Sequence, residues 1–182
     1  MNKILLFEYF LKGIWDWYYA AHPHKNQENN ENDLSILKCL KLLFLATAAE
    51  IEDKLGETSN LLIDSTFNRF SALPLGHVES DIYTHIRSAG GELTYFTLTK
   101  VNLKKNDNQF PNNNDLHGVN TDAIDSAISA LKDKNPDLIK MRAYELVDLT
   151  HKWASWRLLY KKELGSSPIP PNIIKNERKY FY

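Results

Sequence analysis

The sequence predicts a mainly α-helical fold, a compact helical domain with a small β hairpin or sheet. Apolar residues recur at helical spacing through four stretches, residues 3–21, 33–55, 121–132 and 136–160. Short runs typical of strands occur only between residues 61 and 103. The chain has 182 residues, of which 43% are hydrophobic, and this suffices to bury a sizeable core.

The first helix, predicted over residues 3–21, is apolar on almost every face. Glu8, Lys12 and Asp16 lie four residues apart and form one narrow charged stripe with favourable pairing. Aromatic residues fill much of the remaining surface, including Trp15, Trp17, Tyr18 and Tyr19. Such a helix must be covered, either by its own domain or by a partner. If a partner covers it, these four side chains are the first candidates for the partner-binding surface, since aromatic residues anchor interfaces well.

Charge and cysteine content exclude several classes of protein. Because Glu8, Lys12 and Asp16 interrupt the apolar N-terminal run, we expect neither a transmembrane helix nor a signal peptide. The net charge of −1 argues against a nucleic-acid partner bound through bulk charge. Cys39, the single cysteine, lies among leucines, so we expect a small buried hydrophobe and a reducing, cytoplasmic location.

We divide the chain into an N-terminal segment, a main domain and a tail. Residues 1–32 comprise the aromatic helix and a polar, Asn-rich loop, residues 33–165 form the main domain, and the tail of residues 166–182 is expected to contain a short helix. Asp33 is expected to cap the second helix with its carboxylate. Gly56 is expected to end that helix.

The middle of the chain is predicted to contain the β structure. Leu61–Ile63 and Phe67–Leu73 are candidate strands, and a helix is predicted over His77–Ser88 after a sharp turn. Leu93–Leu103 alternates apolar and polar residues and is predicted to be a strand. Residues 104–118 are predicted to form an exposed Asn-rich loop.

Two further helices are predicted after this loop. Thr121 or Asp122 is expected to cap a helix that runs to Lys132. The next helix is expected to begin at Asn135-Pro136, since proline is tolerated at the first helical position. Its apolar period continues downstream with a break near His151.

Three groups of residues resemble the conserved motifs of a known family. Lys41-Leu-Leu-Phe44 occurs in the second helix. The turn-and-helix segment contributes Phe70, Ala72, Gly76, Val78 and Tyr83. The last group is Leu146, Leu149, Thr150, His151, Trp153 and Trp156. In this order, the residues resemble the Panacea domain family, the SocA-like antitoxins of bacterial toxin–antitoxin systems. The resemblance covers residues 33–165, and His77 departs from it because the family has a proline there.

The resemblance implies a mainly helical domain with a small β element, without catalytic role or cofactor. It implies that the protein neutralises a cognate protein toxin by direct binding. Two alternatives stay open: an adaptor that delivers a toxin to a protease, and a DNA-binding autorepressor. Self-association is a further option for the partner. The motif residues would be structural, and we expect His151 to hydrogen-bond the turn near Gly76.

No residue pattern predicts a catalytic, cofactor or metal site. His77 and His85 lie two turns apart on the predicted helix, and a rise of about 1.5 Å per residue separates them too far to ligate one ion together. Gly90-Gly91 lacks the spacing of a phosphate-binding loop. Thr150-His151 has no reactive serine or cysteine nearby, so a capping or bridging histidine is favoured over a general base.

Overall fold

The computed structural model describes residues 2–54, 61–111 and 121–182. Its helices are α1 (Lys3–Ala21), α2 (Ile36–Asp53), α3 (Leu62–Ser65), α4 (Ser80–Arg87), α5 (Thr121–Lys134), α6 (Ala143–His151), α7 (Ala154–Leu159) and α8 (Pro171–Asn176), with a 3₁₀ helix at Leu138–Lys140. Its strands are β1 (Phe70–Leu73), β2 (Gly76–Glu79), β3 (Phe96–Leu98), β4 (Leu103–Lys105) and β5 (Ser167–Pro168). The predicted class, mainly α with a small β component, is confirmed.

Helix α2 lies at the centre of the molecule, because nearly all of its residues from Lys38 to Ile51 are buried. It packs against α5, α6 and β2. Helix α1 packs against α5 and the 3₁₀ helix, and its apolar residues belong to the same hydrophobic cluster as those of α2. Burial of this apolar surface is the main favourable term in folding.

Strand β1 is the middle strand of an antiparallel sheet with the order β2-β1-β5. Leu73 pairs with Gly76, so a two-residue turn at Pro74 and Leu75 joins β1 to β2. On the other edge, Ala72 pairs with Ser167 of β5. Strands β3 and β4 form a separate hairpin. The C-terminal tail therefore runs beside the β1–β2 hairpin.

An ion-pair network, in which only Glu79 is fully buried, joins the first helix to this hairpin and to the start of α4. The Lys3 ammonium lies 2.8 Å from the Glu79 carboxylate and 2.6 Å from that of Asp81. The Arg69 guanidinium lies 2.8 Å from the other oxygen of Asp81. The fully buried Glu79 also accepts from the Ile82 amide, so it is the N-cap of α4.

Two predictions are wrong, one about the cap of α2 and one about a strand that follows this helix. Ser35, not Asp33, caps α2, since its hydroxyl accepts from the Lys38 amide. The Asp33 carboxylate instead accepts from the Lys38 ammonium at 2.7 Å. The candidate strand at Leu61–Ile63 belongs to the helical turn α3, where the buried Glu50 carboxylate accepts from the Leu62 amide at 2.9 Å.

The start of α4 and the segment Leu93–Leu103 also differ from the prediction. The helix expected from His77 begins at Ser80, because residues 76–79 pair with β1 as a strand. Leu93–Leu103 contains a reversal, so that it contributes to both strands of the β3–β4 hairpin. The break near His151 and the short helix in the tail are confirmed. The expected stop at Gly56 and the end of the loop at 104–118 lie outside the described residues.

None of the described helices is both long enough and apolar enough to cross a bilayer.

Candidate functional site

The tip of the β1–β2 hairpin is held by the corner between α6 and α7. The Trp156 indole N–H donates to the Leu73 carbonyl oxygen at 2.8 Å. The His151 ring lies beside the carbonyl of Pro74, in the turn itself, and its Nε2 atom has no hydrogen-bond partner among the described residues. The two rings stack with their centroids 3.6 Å apart. His151 therefore lies beside the turn, and the hydrogen bond that we expect between them stays a prediction.

Gly76 is the point at which the hairpin approaches the helices most closely. Its φ of +92° lies in the left-handed region that favours glycine. A Cβ atom here would lie 2.5 Å from Oγ1 of Thr150 and 3.3 Å from Nζ of Lys41. Both the backbone conformation and the packing therefore require glycine, which explains the position of this motif residue.

Lys41 places a buried amine beneath the hairpin. Its side chain is fully buried, and its Nζ atom donates to the carbonyl oxygen of His77 at 2.5 Å. Within the described part of the chain, no carboxylate pairs with it. Burial therefore lowers the pKa of Lys41 to about 7. The amine joins α2 to β2 as a hydrogen-bond donor.

His77 occupies the position where the resemblance expects a proline. Its ring is fully buried and stacks parallel to Phe44 at a centroid distance of 3.8 Å. Nε2 forms a 2.7 Å hydrogen bond with the Ser155 hydroxyl, and Nδ1 has no partner. Burial, followed by the charges of Lys41 and His151, holds the pKa of His77 well below its ordinary value. A neutral imidazole thus serves as a packed, bridging group at this position.

The other motif residues form the core under this site. Trp153 is fully buried, and its ring lies 4.8 Å from that of Phe44 in an edge-on arrangement. Phe70 lies on another side of Phe44 at 5.5 Å. Other buried members of the motif groups are Ala72, Val78, Leu146, Leu149 and Thr150. The packing brings these residues together in the core, and the role that the resemblance implies for them stays a prediction.

An open groove lies beside the hairpin tip, with a volume of about 500 Å³. Most of its lining is apolar, and its principal walls are Ile36, Leu37, Leu40, Leu73, Pro74, Leu75, Val78, Tyr83, Ala143 and Tyr144. Leu75 is 42% exposed and Tyr144 is 68% exposed. Among the described residues, Arg87 and Lys100 are the charged members of its lining, and none of the lining residues is a carboxylate. We call this feature the hairpin groove.

The aromatic residues of α1 lie elsewhere, and their assignment as a partner-binding surface is corrected here. Trp15, Trp17 and Tyr18 are buried in the hydrophobic core. Tyr19 is partly buried, and its ring lies 4.9 Å from that of Trp15. The domain itself covers this helix, because α5 and the 3₁₀ helix pack on it. Of the two explanations for its apolar surface, packing on its own domain is the one observed.

Sequence analysis missed two features of the site. Lys41 interrupts an otherwise apolar run, and a lysine in such a run needs a buried partner or a path to solvent. That signal could have identified the amine. The hairpin groove left no comparable signal, since its walls come from segments far apart in sequence.

Within residues 2–54, 61–111 and 121–182, no three His, Cys, Asp or Glu side chains lie close enough together to hold a metal ion. No family model, curated protein or solved structure matches the chain.

Proposed function

We propose that this protein is a Panacea-type antitoxin that neutralises a cognate protein toxin in the cytoplasm by direct binding. The observation that carries the proposal is the hairpin groove, an open apolar surface bordered by the exposed side chains of Leu75 and Tyr144. Contiguous apolar surface on a folded domain marks an interaction site, because exposing it to water costs free energy.

The motif residues support a binding role through the rigidity that they provide. Trp156 donates to the Leu73 carbonyl at the start of the hairpin turn, and the His151 ring stacks on Trp156. Lys41 fixes the next strand from below. A preformed surface loses little conformational entropy on binding, so these contacts favour association without themselves touching the partner.

Growth of cells that express the neighbouring open reading frame, with and without this protein, tests the proposal. We expect the neighbour to be toxic, co-expression to relieve the toxicity, and the two proteins to co-purify. Leu75→Asp is expected to abolish rescue. Leu158→Asp is the matched control, since Leu158 is 74% exposed on α7 and does not line the groove. A harmless neighbour, or toxicity that persists, would reject the proposal.

The same cells separate the alternative functions. Rescue by direct binding should persist in a host that lacks the protease, whereas an adaptor should lose it. A DNA-binding autorepressor should instead retard its own promoter fragment, with an affinity that falls steeply as salt rises.

A further inference from the structure

Among the described residues, the charged side chains that line the hairpin groove are all positive. Arg87 and Lys100 lie on its lining and carry positive charge, whereas no carboxylate lines it. The Arg87 guanidinium donates to the Tyr83 hydroxyl at 3.1 Å and lies 5.3 Å from the centre of that ring. Lys100 is exposed and has no polar partner in the described part of the chain. The groove therefore combines an apolar floor with two cations that lack carboxylate partners.

Arg87 and Lys100 are among the cations of the described residues that form no ion pair with a carboxylate. Several lysines there are paired with carboxylates at 2.6 to 3.2 Å, among them Lys3, Lys12, Lys38, Lys54, Lys134, Lys140 and Lys175. Arg87 is instead oriented by Tyr83, a neutral side chain that itself lines the groove. An oriented guanidinium beside an apolar surface can receive a carboxylate through two parallel hydrogen bonds.

We propose that the hairpin groove binds a segment of the toxin in which an apolar side chain is flanked by a carboxylate. The apolar side chain occupies the space between Leu75 and Tyr144, and the carboxylate pairs with Arg87 and Lys100. This inference rests on the proposed antitoxin function and adds the chemistry of the partner segment. It commits to a protein partner with charge complementary to the groove.

The dimensions and polarity of the groove favour such a segment over a nucleic acid. Its volume of about 500 Å³ accommodates a few side chains. A nucleic-acid strand would place phosphates or sugar hydroxyls against the apolar wall of Leu37, Leu40 and Val78, where they would find no hydrogen-bond partner. An acidic-apolar segment satisfies both parts of the lining at once.

Charge reversal in the full-length protein tests the inference against the purified product of the neighbouring gene. We expect Arg87→Glu and Lys100→Glu each to weaken binding about tenfold or more, the size typical of a lost charge pair that is partly shielded from water. Arg157→Glu is the matched control, because Arg157 is an exposed arginine of α7 without a carboxylate partner in the described chain and outside the groove. Unchanged melting temperatures would show that all three variants fold.

A photoreactive phenylalanine analogue at position 144 identifies the bound segment. We expect crosslinks from Tyr144 to map to toxin residues that include an Asp or Glu beside an apolar residue, and none from the same analogue at Leu158. Replacing that acidic residue with lysine in the toxin should restore binding to Arg87→Glu.

Four outcomes would overturn the inference. Wild-type affinity in both groove charge variants, or a crosslinked segment without an acidic residue, would reject this partner chemistry and leave the antitoxin function standing. Loss of promoter binding instead of toxin binding in Arg87→Glu would identify the groove as a nucleic-acid surface. Failure of the wild-type protein to bind the neighbouring product would reject the inference together with the proposed function.

Discussion

The Nζ atom of Lys41 and the carbonyl oxygen of His77 form a 2.5 Å hydrogen bond in the centre of the protein. This bond joins the central helix to the strand that follows the hairpin turn. A lysine without a carboxylate partner in the described residues is an unusual means of doing so, since its charged form is costly to bury. The folded protein therefore favours the neutral amine.

Replacement of Lys41 by methionine should change how stability depends on pH. The pKa of Lys41 falls from 10.5 in the unfolded chain to about 7 in the folded protein. Between these values the unfolded chain binds more protons, so the contribution of Lys41 makes the free energy of unfolding rise with pH. Lys41→Met lacks this rise. Between pH 7 and pH 9, the free energy of unfolding of the variant minus that of the wild type should therefore fall, by at most about 1.4 kcal/mol for each pH unit.

Denaturant titrations at pH 6.5, 7.5 and 8.5 check this prediction for the wild type and the variant. Lys161→Met, which changes an exposed lysine in a turn, should follow the wild type at every pH. Parallel curves for Lys41→Met and the wild type would show that the buried amine keeps an ordinary pKa.

Gly76→Ala should destabilise the protein by about 3 kcal/mol or more. The substitution adds strain at a positive φ, which costs about 1–2 kcal/mol, and it places a Cβ atom 2.5 Å from Oγ1 of Thr150. Thermal or denaturant unfolding measures the loss. Gly165→Ala is the control, because Gly165 also has a positive φ, of +66°, but faces open space.

A double-mutant cycle separates the clash at Gly76 from the backbone strain. Thr150→Ala removes the atom nearest to the added Cβ, so Gly76→Ala should cost less in that background. Additive effects would indicate that the clash does not contribute.

Ser155→Ala should cost about 1–3 kcal/mol of stability. The Ser155 hydroxyl is the hydrogen-bond partner of Nε2 of the buried His77, and its removal leaves the imidazole with no side-chain partner. Ser88→Ala, at an exposed hydroxyl near the end of α4, should stay within about 0.5 kcal/mol of the wild type. Equal stability of the two variants would contradict the role assigned to the Ser155 hydroxyl.

Phe181→Ala should destabilise the protein by about 3–5 kcal/mol, although it lies one residue from the C-terminal end of the chain. The Phe181 ring is buried, 6.1 Å from that of Trp153, and its carbonyl accepts from the Asn135 side chain at 2.6 Å. Tyr182→Ala is the matched neighbour, since Tyr182 is 77% exposed. A similar small loss in both variants would mean that the tail contributes little to the core.

The position of α1 followed closely from the sequence, whereas the helix predicted to begin at Asn135-Pro136 begins only at Ala143, after the 3₁₀ helix Leu138–Lys140. The apolar spacing along residues 3–21 predicted α1 within a residue at its ends, because a helix period is a local property of the chain. The cap of α2 was misassigned, since both Asp33 and Ser35 have side chains that can accept from free amides. Ser35 is the cap because the Asp33 carboxylate is paired with the Lys38 ammonium.

The strand β2 shows why local periodicity was insufficient at the hairpin. Val78, Ile82 and Ile86 have helical spacing, and this predicted a helix from His77. Residues 76–79 pair with β1 instead, and the helix starts only where Glu79 caps it. The apolar period of residues 77–88 does not show that residues 76–79 pair with the preceding strand.

The sequence by itself determined the helical class, the apolar nature of α1 and the residues of the motifs, because composition and period are properties of the chain. Only the tertiary structure decided that Trp15, Trp17 and Tyr18 are core residues and that the motifs converge on Gly76. It also decided that exposed apolar surface lies at Leu75 and Tyr144. The physical reason is that burial and proximity depend on how distant segments pack, and a helix with an apolar surface does not specify which other element covers it.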